Sequence, residues 1–354
     1  MAIQVGINGF GRIGRIAVRS MIERGSHSYR ICGINLRNAD LDYMVYQVKY
    51  DTVFRTFMGS VEHDDRHLII NGQKIRVYSY SDAAEIPWDD CNAEYIIEST
   101  GAYLTTEKAA VHLKNGARKV VLSAPSKDKV TPTFVMGVNH NMYTTEMDVV
   151  SNASCTTNCL APMTKVINDT FGIEQALMST IHSATAKQKP VDSRGGSDWR
   201  TGRSVLGNII PSTTGAAKAV GEVIPELKGR MTGMSFRVPT VDVSVVDLTA
   251  RLKESATYKD VCVAMENAAS NSMKGIITCT RDQVVSSDLT GFPQTCIFDE
   301  KAGIMLGDDF VKLIAWYDNE WGYTNKLIDL MTYMYSVDHP AEIFSDERSG
   351  ISPR

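Results

Sequence analysis

The 354-residue chain contains no uninterrupted apolar run near the roughly 18 residues that a membrane-spanning helix requires, which argues against an integral membrane protein of the helical kind. It also lacks any block of five like charges, and its formal net charge is only -4. A surface dedicated to nucleic acid or to an anionic membrane is therefore not expected. The opening Met-Ala-Ile-Gln-Val-Gly shows neither the basic region nor the apolar stretch of a secretory leader. Cysteine is sparse and irregular: Cys32, Cys91, Cys155, Cys159, Cys262, Cys279 and Cys296, an odd number without framework spacing. Reduced thiols and a cytoplasmic location are the expectation. No second Cys or His pair near Cys155 and Cys159 completes a tetrahedral set, so no metal is expected.

What is present is ordinary globular material, 43% hydrophobic and 22% charged, and the length favours two domains. The first third alternates apolar strand-like runs with helical patterns: a strand over 3–7, a helix over about 12–24, a strand over 29–34 and a helix over about 40–49. That rhythm belongs to βαβ units and a mainly parallel sheet. Asn71-Gly72 between apolar and alternating runs predicts an inserted hairpin. A strand over 95–98, a helix over 106–115 closed by Gly116, and a strand over 119–122 resume the scheme. Beyond about 178 the pattern changes to longer alternating segments such as 241–252, predicting a mainly antiparallel sheet with helices on one side. The periodic segment 324–335 predicts a helix that packs on the first domain, and the polar stretch 339–354 reads as a loosely held tail.

Gly9-Phe-Gly11-Arg-Ile-Gly14 follows the first strand and opens the first helix, the context in which this glycine spacing marks a dinucleotide-binding turn. Gly9 allows the tight turn, Gly11 lets backbone approach a pyrophosphate, and Gly14 permits close helix and strand packing. The carboxylate expected at the end of the second strand, to accept ribose hydroxyls, is missing from Ile34-Asn35-Leu36-Arg37-Asn38. Leu36 cannot make that bond. Arg37 is compatible with a 2'-phosphate, hence NADP, or with plain solvent exposure, and Asn35 or Asn38 could hold an NAD ribose instead.

Ser-Asn-Ala-Ser-Cys155-Thr-Thr-Asn precedes a helix-like stretch, 159–170, and places Cys155 at a helix N-terminus among hydroxyl side chains. Dipole and N–H donors there lower a thiol's pKa and make a nucleophile; a structural cysteine would have apolar neighbours, which the sequence does not supply. Of the seven histidines, His27, His63, His67, His112, His140 and His339 read as surface or loop residues. His182 ends the apolar run 176–181, and the residues alone leave it open between a catalytic base and an ordinary strand-end histidine.

Five ordered segments now become diagnostic. Gly6 to Arg15, Ser151 to Pro162, Asn208 to Val220, Phe236-Arg-Val-Pro-Thr240 and Trp316 to Tyr323 together strongly resemble the phosphorylating glyceraldehyde-3-phosphate dehydrogenases, with the likeness running from about 1 to 337. The resemblance implies a Rossmann-type dinucleotide-binding domain over 1–153, completed by a C-terminal helix over 319–338, and an α+β catalytic domain over 154–318 with a mainly antiparallel sheet. It implies that Cys155 adds to the aldehyde of glyceraldehyde 3-phosphate, that His182 is the base while hydride passes to NAD, and that inorganic phosphate releases the thioester as 1,3-bisphosphoglycerate. It also implies that Ser154, Thr156, Thr214 and Gly215 surround the attacking phosphate, and that Thr185 and Arg237 contact the substrate phosphate. Gly9, Gly11, Arg12, Ile13, Gly14, Leu36, Ser123 and Asn319 would face the cofactor, with Asn319 on the nicotinamide amide. A homotetramer follows by resemblance, the polar segment 187–203 reaching a neighbouring subunit.

The sequence departs from the family pattern at Leu36, at Ser81, where an arginine is common near the adenine, at Lys187 beside the substrate phosphate, and over 52–58. Two sister readings stand beside the main one: an NADP-preferring biosynthetic form, motivated by Leu36 and Arg37, and an erythrose-4-phosphate dehydrogenase that releases the acyl group to water. A binding protein with a vestigial site is disfavoured by the intact set Cys155, His182 and Arg237.

Overall fold

A computed structural model describes residues 2–25 and 28–340; His27 and most of the expected tail lie outside them. Two eight-stranded sheets order the chain. The first contains β1 (Ile3–Asn8), β2 (Tyr29–Asn35), β5 (Val61–His63), β6 (His67–Ile70), β7 (Gln73–Tyr78), β8 (Tyr95–Glu98), β9 (Lys119–Leu122) and β10 (Val149–Ser151), while β3 (Tyr50–Asp51) and β4 (Arg55–Thr56) pair separately. Its spatial order is β10-β9-β8-β1-β2-β7-β6-β5, parallel from β10 to β7, with β6 and β5 added antiparallel by the hairpin. Ile3, Val5 and Ile7 are all buried, as befits a strand covered on both faces. Since β1 lies between β2 and β8, the chain turns both ways from it, and a crevice opens beyond its C-terminal end.

The second sheet contains β11 (Ile173–His182), β12 (Ile210–Thr213), β13 (Met231–Arg237), β14 (Ser244–Leu252), β15 (Ile277–Thr280), β16 (Cys296–Asp299), β17 (Ile304–Leu306) and β18 (Phe310–Tyr317). Most pairs are antiparallel, but β11 with β13 and β15 with β16 are parallel. The helices are α1 (Arg12–Glu23), α2 (Leu41–Lys49), α3 (Thr106–Ala109), α4 (Cys155–Phe171), α5 (Ala216–Val223), α6 (Tyr258–Ser270) and α7 (Trp321–Asp338). The central α4 packs on β14, β16 and β18, and α7 packs against both α1 and α4.

Four local expectations need correction. The helix expected over 106–115 is one α turn that tightens to 3-10 geometry from Ala110 to Asn115 before the left-handed Gly116. The tighter winding stacks Ala109 and His112, both buried, three residues apart on one face. His112 is accordingly not a surface residue: it accepts from Trp88 Nε1 at 3.0 Å and meets Glu98 at 3.1 Å. His140 is likewise half-buried, receiving the Gly137 N–H and packing edge-on against Tyr333. The strand expected over 241–252 begins only at Ser244, after Val243 turns with φ +61°.

The inward side of α7 is fixed by charge as well as packing. Asp329 accepts from Arg24 at 2.7 Å and from Lys326 at 2.5 Å. Burial alone would raise its carboxyl, yet the two cations hold it below the usual range. Its contribution to stability is therefore complete above the ordinary carboxylate pKa of about 3.9 and is lost as pH falls through the lower folded value. Asp329→Asn is expected to cost about 3 kcal/mol at neutral pH and to flatten the acid limb of a denaturant midpoint-versus-pH curve; an unchanged curve contradicts the assignment.

Candidate active site

The nucleotide end of the site forms where β1 runs into α1. Gly9 has φ +102°, and a Cβ on Gly14 would stand 2.1 Å from the Gly9 carbonyl oxygen, so turn and helix are in direct backbone contact. A Cβ on Gly11 would meet nothing within 4 Å, which leaves its outer side open to a ligand. The first turn of α1 has neither a side-chain cap nor an acidic residue, and its free N–H groups suit a pyrophosphate. Gly14→Ala is expected to abolish measurable NAD binding and to lower stability by ~2 kcal/mol; calorimetric titration showing native affinity would contradict this.

A cavity of about 410 Å³ continues from Gly9 and Gly11 past Leu36, Arg37, Tyr80, Ser81 and Thr100. Leu36 and Arg37 thus stand where the sequence put them, at the end of β2. Asn35, by contrast, is spent: its amide donates to Asn8 Oδ1 and the Tyr80 carbonyl and accepts from the Tyr80 N–H. It is not available to a ribose. The Arg12 guanidinium is also engaged, bridging Asp51 and Glu320, so only the backbone of Arg12 and Ile13 is left for the pyrophosphate. Ser123 follows β9, its N–H held by the Glu98 carbonyl at 3.0 Å.

The nucleophile sits where β10 passes into α4. Ala153 adopts φ +54°, a left-handed conformation uncommon for alanine, held by Ser151 Oγ at its N–H and by Tyr323 Oη at its carbonyl. The Ser154 hydroxyl then accepts from the Thr157 N–H and caps α4. Cys155 is the first residue of that helix, and its Sγ lies 3.5 Å from His182 Nε2. His182 ends β11 and is 3% exposed; in the parallel ladder with β13 its register partner is Arg237. Arg237 Nη1 lies 2.7 Å from His182 Nδ1, which is also 2.9 Å from the Ser183 carbonyl oxygen. Tyr317 packs edge-on against the imidazole, and its hydroxyl sits between Thr156 and Thr180 at 2.8 and 2.9 Å.

The expected drop in the thiol pKa is not found. Cys155 packs against the main hydrophobic core, and burial pushes its thiol up to about 11, with Arg237 and the first N–H groups of α4 pulling the other way. Burial, then Arg237, pushes His182 down to about 3. The apolar surroundings come from distant segments, which a reading of neighbours in sequence could not supply. Burial opposes charge on both groups, and His182 Nε2 stands within reach of the thiol proton.

A second cavity, about 400 Å³, brings together Ser154, Cys155, Thr156, His182, Thr214, Gly215 and Arg237, with Lys218 at its wall. Thr214 Oγ1 accepts from the Ala216 N–H at the start of α5, beside Gly215. Arg237 Nε is buried with no hydrogen-bond partner among the described residues. Thr185 does not line this cavity: it is exposed and its hydroxyl donates to Gln188 Oε1 at 2.8 Å. Lys187 is exposed in the same turn. Asn319 is buried, its Oδ1 accepting from Ser183 Oγ and Ser244 Oγ at 2.9 and 2.7 Å, which leaves the amide N–H groups as its remaining donors. Ser183, Ser244 and Tyr317 complete the site through partners on distant strands; in sequence, Ser183 adjoins His182 and Tyr317 falls within the segment Trp316 to Tyr323.

No group of three or more potential metal ligands occurs among the described residues, and no helix among them is long and apolar enough to cross a membrane. Residues 3–106 match the family described as "Glyceraldehyde 3-phosphate dehydrogenase, NAD binding domain", and residues 154–319 match its "C-terminal domain". "Glyceraldehyde-3-phosphate dehydrogenase 2" of Mucor circinelloides f. lusitanicus is 54% identical over 342 residues, covering 97% of this chain and 100% of that protein. "Glyceraldehyde-3-phosphate dehydrogenase" of Neurospora crassa is 53% identical, covering 96% and 99%. A relative from Chondrus crispus, named "Glyceraldehyde-3-phosphate dehydrogenase, cytosolic", is 54% identical, covering 95% and 99%.

Proposed function

The chain belongs to the glyceraldehyde-3-phosphate dehydrogenase family, and on that premise we propose that it oxidises and phosphorylates glyceraldehyde 3-phosphate to 1,3-bisphosphoglycerate with NAD, through Cys155. The observation that carries the reading is the Cys155 Sγ to His182 Nε2 contact of 3.5 Å at the floor of a cavity lined by hydroxyls, helix N-termini and Arg237.

The sulfur attacks the aldehyde carbon while His182 Nε2 takes the thiol proton and returns it to the forming hydroxyl, giving a hemithioacetal. NAD, when bound, supplies the hydride acceptor, with α1 on its pyrophosphate and the Asn319 amide donors on its carboxamide. As the hemithioacetal is oxidised, Nε2 accepts the hydroxyl proton and a thioester remains on Cys155. Ser154, Thr156, Thr214 and Gly215 surround the inorganic phosphate that attacks it, and Arg237 Nε, which has no partner among the described residues, supports a contact to the substrate phosphate. Thr185 would join that contact only by turning its hydroxyl away from Gln188.

The same reading assigns residues 1–153 with 319–338 to nucleotide binding and 154–318 to catalysis, in keeping with α7 lying against α1. It places the protein in the cytoplasm, as the name of the Chondrus relative suggests. A homotetramer is supported by the polar arm over 187–203, which leaves Trp199 85% exposed; light scattering should give four chain masses, and a stable monomer would refute it.

Steady-state NADH formation from glyceraldehyde 3-phosphate should require inorganic phosphate and should favour NAD over NADP. Turnover indifferent to phosphate would place the protein with the hydrolytic sister activity instead, and a large NADP advantage would overturn the cofactor assignment.

A further inference from the structure

Two thiols that the reaction above does not use meet beside the first sheet. Along β2 the register with β1 slips: Ile31 pairs with Val5 and Gly33 with Gly6, so Cys32 is the extra residue of a bulge. Its Sγ lies 3.3 Å from the Val5 carbonyl oxygen and also faces Cys91, the last residue of the 3-10 turn Trp88–Cys91. Gly33 makes the approach possible, because a Cβ there would stand 2.8 Å from Cys91 Sγ. Cys32 is 8% exposed, whereas Cys91 is half-buried and flanked by the exposed Asp90 and Asn92. One sulfur is thus open to a reagent, and the other lies behind it.

The two differ in acidity as well. A Cys91 thiolate receives hydrogen bonds from the Cys32 thiol, the Tyr78 hydroxyl and the Ala93 N–H, which outweigh burial and the Asp90 carboxylate and hold Cys91 below the ordinary thiol range. The bond to Cys91, then burial, holds Cys32 above it. Cys159 and Cys296 also face each other, but both are wholly buried in the core and closed to any reagent. We propose that Cys32 and Cys91 form a reversible redox site, in which Cys91 attacks a small uncharged disulfide and Cys32 resolves the product into an intramolecular bond. In the first step the Cys91 sulfur bonds to one sulfur of the reagent, the reagent's S–S bond breaks, and one small thiolate leaves. In the second, Cys32 gives up its proton and displaces the other small thiolate from Cys91. Two protein thiols are oxidised, one small disulfide is reduced to two thiols, and the two protons pass to the leaving groups. A bond of this kind in a cytoplasmic protein is transient and sensing rather than structural. The inference does not rest on the catalytic reading.

The test uses the full chain carrying Cys155→Ser, so that the nucleophile of the candidate active site does not compete, with hydroxyethyl disulfide as the probe. Mass spectrometry of the digested protein should find the peptides of Cys32 and Cys91 joined, two hydrogens lighter than the free pair, and separated again by dithiothreitol. Free thiol at Cys91 should disappear at least ~10-fold faster than at Cys262 or Cys279, two half-buried thiols that burial holds above the ordinary range. Adding Cys32→Ser should stall the sequence with one hydroxyethylthio group on Cys91, and adding Cys91→Ser instead should leave Cys32 a free thiol. A Cys91 that stays free, a mixed disulfide that persists on Cys91 while Cys32 is intact, or a bond from either residue to another cysteine overturns the proposal.

Discussion

Cys155→Ser is expected to lower kcat/KM for glyceraldehyde 3-phosphate by at least ~10⁴-fold, in the range seen when a covalent nucleophile is removed, while NAD affinity stays within about twofold of wild type. The separation follows from the fold. Cys155 stands on α4, and the pyrophosphate turn stands on α1. The Ser154 cap and the Tyr323 bond that hold the turn before α4 do not involve the thiol, so the variant should keep its backbone. A serine hydroxyl in a site that already raises a thiol to about 11 has still less access to its anion. Steady-state rates with a calorimetric NAD titration check both halves; undiminished turnover would show the nucleophile to be elsewhere.

His182→Gln is expected to reduce the rate of the hydride-forming step by ~10²–10⁴-fold, the usual yield of positioned general base catalysis. Alkylation of Cys155 by iodoacetamide near neutral pH should slow as well, because the buried thiol loses the neighbour that takes its proton. Glutamine preserves bulk against Tyr317, so a change in Tm of no more than a few degrees is expected with the loss of rate. A burst rate within twofold of wild type would remove His182 from the mechanism.

The parts of the molecule that were legible in sequence are those whose determinants are local. Gly9, Gly11 and Gly14 announce the turn because each is required by a contact or a conformation within a few residues. The strands over 95–98 and 119–122 read correctly because short apolar runs bounded by breakers have few alternatives. What was not legible depends on distant partners. The burial of His112 requires Trp88 and Glu98 from other elements. The pairing of Arg237 with His182 requires the parallel register between strands 55 residues apart in sequence. The desolvation of Cys155, which reverses the expected direction of its thiol pKa, comes from the core beneath α4 and Tyr317 rather than from the hydroxyl residues beside it.

The missing acid beside Leu36 shows the same division. Its absence is plain in the sequence, and the structure adds that Asn35 is already spent on Asn8 and Tyr80. The cavity beside β2 is thus lined by Leu36 and Arg37, with no carboxylate among its lining residues.

The central claim is that oxidation leaves an acyl group on Cys155 that only phosphate removes efficiently. Its most direct test is acid quenching of the enzyme mixed with NAD and glyceraldehyde 3-phosphate in phosphate-free buffer, followed by mass spectrometry of the cysteine-containing peptides. One 3-phosphoglyceroyl group per active chain, on the peptide carrying Cys155 and lost when inorganic phosphate is added, is the predicted result. NADH formed without an adduct, or with the adduct on another cysteine, would contradict it.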